Sequence, residues 1–139
     1  MFDILDNVDF QRRVGKIMMA SLFLVSAAVS IIGFDDFLGL IKGKNLPIPF
    51  VLAIMAITLK FVGGFLLATG YLEKPGVIIL IIFTLIATVI FHRPTDPAQL
   101  NNFLKNMAII GGLILILTLP DNSSSLITTI SPQSNEVSL

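Results

Sequence analysis

The chain has 139 residues, of which 55% are hydrophobic and 13% charged, with nine basic and nine acidic side chains and no cysteine. The charged share is about half the roughly 25% of an ordinary soluble domain, so too little polar surface exists to clothe a water-soluble fold of this size. Balanced charge, with no basic run longer than Arg12-Arg13, argues against a nucleic-acid footprint, and the lack of cysteine excludes disulfides, iron–sulfur clusters and thiol catalysis.

The opening stretch, MFDILDNVDFQRRVGK, places Asp3, Asp6 and Asp9 ahead of the first apolar run. A cleavable leader would need a basic start and a short apolar segment, so the first run is expected to be a retained span. A helix rising about 1.5 Å per residue needs about 20 apolar residues to cross a bilayer. The first such run covers residues 14–34, and its interior polar groups are the hydroxyls of Ser21, Ser26 and Ser30, which can bond back to the preceding turn. The second covers 49–71, where Pro47 and Pro49 suit a helix start. The third, 75–91, is rich in β-branched residues, but it is too long for a strand, and lipid forbids an unpaired one. The fourth covers 102–119 and stops at Pro120.

Short connections join these runs: 35–48 with two acids, two lysines and the NLPIP segment, a tight turn at 73–75, and a polar loop at 92–101. The expected organisation is a juxtamembrane segment over 1–13, a transmembrane domain over 14–119 and a flexible polar tail over 120–139. The fold class is all-α, an integral membrane four-helix bundle in contact with the lipid bilayer. An even number of spans puts both termini on one side. Arg12, Arg13, Lys16 and Lys74 then face Lys42, Lys44, Arg93 and Lys105 across the bilayer. The cluster ahead of the first span favours termini in the cytoplasm.

Lys60 lies mid-span in the second run, where a lysine costs about 2.5–3.5 kcal/mol on insertion scales. Helical spacing sets Ala56, Lys60 and Gly64 on one face with Gly63 beside them, and small residues let another helix approach. Lys60 is therefore expected to face the bundle interior, with Ser26, Ser30, Thr84 and Thr88 as candidate partners. This could be a proton, quinone or anionic-ligand site, or a lysine that fixes packing. His92, ending the third span, could exchange protons or bond to a loop. A single histidine without cysteines makes a poor metal site, so no metal is expected. Gly63-Gly64 and Gly111-Gly112 read as packing surfaces more readily than as ligand cradles. Phe61, Phe65, Phe83 and Phe91 could line a hydrophobic pocket. Paired carboxylates, a nucleophile elbow, a phosphate loop and a dinucleotide fingerprint are all missing, so no catalytic residue is assigned. The ligand-binding candidates are Lys60, Gly63, Gly64, Ser30, Thr84 and His92.

The strings GKIMMASLFLVSAAVSIIGFDDF, NLPIP, KFVGGFLLATGY, ATVIFH and NFLKNMAIIGGLILI, in that order over residues 12–119, resemble the DoxX family. Relatives usually carry a lysine where this chain has Ser30 and an acid where it has Lys60; plant lesion-inducing relatives are similar in having a lysine before the glycine pair. The resemblance implies a membrane subunit of a quinone-linked oxidoreductase complex, with quinone as the implied cofactor and other subunits as partners. It equally allows a non-catalytic scaffold or a sorting and assembly protein. A small transporter, with water reaching Lys60, is a third possibility.

Overall fold

The computed structural model describes Asp3 and residues 6–120; the polar tail expected beyond them lies outside the described residues. Among the described residues, four helices are long and apolar enough to cross a membrane: α1 (Val8–Ile32), α3 (Pro49–Thr69), α4 (Glu73–Phe91) and α5 (Pro97–Leu117). A nine-residue helix, α2 (Phe34–Lys42), lies between the first two.

The helix starts follow from local chemistry. Asn7 accepts a hydrogen bond from the Phe10 amide at 3.1 Å, which starts α1 earlier than the expected residue 14. Asp96 does the same for Ala98 at 2.9 Å, and with Pro97 in the first turn it starts α5 ahead of the expected residue 102. Helix α2 takes up the first part of the 35–48 connection. Phe34, Phe37, Leu38 and Ile41 recur at helical spacing, and Ile41 is buried while Asp35 and Asp36 are exposed. The return into α3 takes Asn45 and Ile48 through positive φ, at 53° and 46°. For a β-branched residue this is a strained backbone.

Helix α3 is sandwiched between α1 and α4, while α5 packs on α4 and touches α1 more lightly. The core is formed by Ala20, Phe23, Leu67, Val77, Leu80, Leu113 and Ile116. Large apolar side chains such as Ile32, Val29 and Val89 point outward, as expected where hydrocarbon replaces water as solvent.

Glycines set how close the helices come. A Cβ on Gly63 would lie 2.6 Å from Leu80 of α4, and one on Gly76 would lie 2.7 Å from the Leu66 Cβ of α3. A Cβ on Gly64 would sit 3.1 Å from Leu24 of α1. Helices α3 and α4 therefore touch near Gly63 and Gly76, at the end of the bundle where the chain turns between them. On the terminal face, Lys16 of α1 pairs with Glu73 of α4 at 2.8 Å, both side chains largely buried.

Candidate functional site

Two sites lie on either side of Phe37. The first surrounds Lys60. Its side chain is 5% exposed and points between α3 and α1. The Lys60 ammonium donates to Ser30 Oγ at 2.6 Å, and to Ser26 Oγ and the Ser26 carbonyl at 3.2 Å each. Ser30 Oγ in turn donates to the Ser26 carbonyl at 2.9 Å. The Phe37 ring of α2 covers the cluster, with its centroid 4.9 Å from Lys60 Nζ. An ammonium has three donors, so in this conformation each has a partner. The ion pairs among the described residues are Arg12–Asp9 and Lys16–Glu73, and neither involves Lys60.

The second is a groove of about 760 Å³ between α2, α3 and α4. From their contact at Gly63 the two long helices separate toward the opposite end, and α2, packed on α3, flanks the gap. Leu52, Met55, Ala56 and Leu59 form one wall, and Ile79, Ile82, Phe83, Ile86 and Ala87 the other. Phe37, Leu40 and Ile41 close the α2 side. The groove is polar only at one end, where Lys44, His92 and Gln99 meet. His92 Nδ1 and Gln99 Oε1 are 2.8 Å apart, and Asn102 Nδ2 donates to the same oxygen at 3.3 Å. In the tautomer that lets Nδ1 donate to Oε1, Nε2 is an acceptor, and the Gln99 amide nitrogen remains a donor. The Lys44 ammonium lies 5.7 Å from the Phe91 ring centroid. The end of the groove thus offers donors and an acceptor above an apolar trough, the composition of a site for a lipid-soluble ligand.

The structure brings together some sequence candidates and separates others. Lys60 and Ser30 are joined directly. Gly63 and Gly64 lie on the same helix and serve as contact surfaces for α4 and α1. Thr84 lies elsewhere: its hydroxyl bonds to the Leu80 carbonyl, while Thr88 bonds to the Thr84 carbonyl and receives Asn106 Nδ2 at 2.9 Å. His92 is at the end of the groove, away from the lysine cluster. Phe83 and Phe91 line the groove, whereas Phe61 and Phe65 stack on each other and are exposed. Sequence reasoning missed Phe37, Lys44 and Gln99. The helical spacing of α2 was the signal available for Phe37; the other two are brought to the groove only by tertiary packing.

The family model described as DoxX matches residues 13–93. The inner membrane protein YphA of Escherichia coli (strain K12) is 25% identical over 109 residues, covering 74% of this chain and 78% of its own length. No solved structure matches. With four spanning helices and these relatives, the chain is a multi-pass membrane protein.

Proposed function

This chain belongs to the DoxX family, and we propose that its groove holds a lipid-soluble ligand of the quinone class, the chain serving as the membrane subunit of an oxidoreductase complex. The observation that carries this reading is the apolar groove of about 760 Å³ with hydrogen-bonding groups at one end. A quinone has an isoprenoid or alkyl tail, a flat ring and carbonyl oxygens. The aliphatic walls suit the tail, Phe83 and Phe91 suit the ring, and the Gln99 amide and Lys44 ammonium suit the carbonyls. His92 Nε2 would accept a hydrogen bond from the reduced form. The reading includes no chemical step by this chain alone. In this reading the termini face the cytoplasm, because Arg12, Arg13 and Lys16 cluster in the N-terminal turns of α1.

The test is mass spectrometry of small molecules that co-purify with the gently extracted protein, comparing the native chain with Ala87→Phe, which fills the groove. Quinone enriched with the native chain and lost in the variant is the expected result. Equal amounts in both would remove the groove as the site.

A second reading is a non-catalytic scaffold or assembly protein. It is favoured by the engagement of every Lys60 donor, which makes that residue a packing device joining α1 to α3. It predicts a stable protein partner in crosslinked membranes and no enriched quinone.

A further inference from the structure

Phe37 belongs to both sites. One face of its ring covers the Lys60 ammonium at 4.9 Å, and the same side chain lines the groove. A single aromatic side chain therefore separates a buried ammonium from a cavity large enough for a lipid head.

Two features make that partition movable. Helix α2 has only nine residues and is bracketed by Gly33 and Gly43. Its anchors lie at other positions, in the edge-to-face contact of Phe34 with Phe50 and in the buried Ile41. The Phe37 side chain can rotate without either anchor being released.

The hydrogen bonds of Lys60 are also unequal. Ser30 Oγ is held at 2.6 Å, but both Ser26 contacts are 3.2 Å, and the Ser26 carbonyl already accepts from Ser30 Oγ. The Nζ–H on the Ser26 carbonyl can leave without exposing an unsatisfied oxygen. Lys60 has no carboxylate partner among the described residues, so an incoming electron-rich oxygen would meet a cation with no competing anion.

We propose that the groove and the Lys60 cluster are one binding site divided by the Phe37 ring, and that when the ring turns aside a ligand carbonyl oxygen takes an Nζ–H hydrogen bond from Lys60 in place of Ser26. The proposal rests on the groove being the ligand site. Ser30 remains the anchor that holds the ammonium. Lys44, His92 and Gln99 hold the opposite end of the ligand, and Phe37 sets how deep it can enter.

The chain contains no tryptophan, so Ile90→Trp, at a groove-lining position to which no ligand contact is assigned, provides a single fluorescent reporter. Quenching by decylubiquinone is titrated in this host reconstituted into nanodiscs. Removing the partition with Phe37→Ala should tighten the Kd by about threefold, because the closed state no longer competes. Ser26→Ala, which removes one competing oxygen without touching the groove, should tighten it by about twofold, whereas Lys60→Met should weaken it by about fivefold and cancel the gain from Phe37→Ala. A purely structural lysine would not give tighter binding on loss of Ser26, so that variant keeps the test decisive even if Lys60→Met fails to fold. If the host binds, Ala87→Phe abolishes binding, and neither Phe37→Ala nor Ser26→Ala moves the Kd, the groove reading stands and the shared site is wrong. No saturable quenching in the host, or quenching that Ala87→Phe leaves intact, overturns both.

Discussion

The two faces of α3 solve the same packing problem in different ways. Toward α1, Ala53, Lys60, Gly64 and Leu67 are all buried, and the seam is closed by a lysine hydrogen-bonded to two serines. Toward α4, Gly63 gives contact so close that a methyl group would collide with Leu80, yet at Ala56 and Leu59 the helices part and leave the groove. The polar face is sealed and the apolar face is open. In a lipid solvent a polar group must find a partner inside the bundle, so it draws helices together. An apolar face has no such demand, because hydrocarbon can fill any gap. The accessible cavity is therefore on the face with less polar chemistry.

The largest effect that would break this contrast is Gly63→Leu. It forces α4 off α3 at their contact and should cost about 3 kcal/mol of stability, measured by unfolding in mixed micelles. Next is Ser30→Ala. It removes the shortest partner of a buried ammonium and should cost about 2 kcal/mol, with most of that loss absent when the change is made in a Lys60→Met background. If the two changes add instead, Lys60 and Ser30 are not coupled and the α1 seam is not polar in the sense described. Gly111→Ala gives the smallest effect. A Cβ there meets nothing within 4 Å, so thermal denaturation should show a gain of about 0.5 kcal/mol from helix propensity alone. Gly112→Ala, whose Cβ would lie 2.7 Å from the Met19 methyl, should show no such gain, which sharpens the distinction between a glycine that packs and one that does not.

The four crossings were legible because length and hydrophobicity decide them. Their ends were less so: Asn7 and Asp96-Pro97 are ordinary start signals, but they lie outside the apolar runs that first draw the eye. Helix α2 was hidden by its nine residues and by the glycines and lysines around it, although Phe34, Phe37, Leu38 and Ile41 carry the helical period. Lys60 was found through its cost in lipid, and Ser26 and Ser30 were among its expected partners. Thr84 and Thr88 were equally plausible by composition, yet they turn to carbonyls of their own helix. The groove was not legible at all. It arises from the separation of α3 and α4 above Gly63, and no residue type announces a gap.

The pair on the terminal face carries a consequence for how the protein is made. Lys16 leaves the ribosome 57 residues before Glu73. While α1 is choosing which way to lie, its lysine has not yet met that carboxylate and counts fully among the charges that bias orientation, a choice on which acids have little influence. Once α4 has been synthesised, the same ammonium is neutralised at 2.8 Å and largely withdrawn from solvent. A residue placed where charge biases insertion thus also joins the first and third crossings, so its replacement is expected to disturb assembly at two separate times.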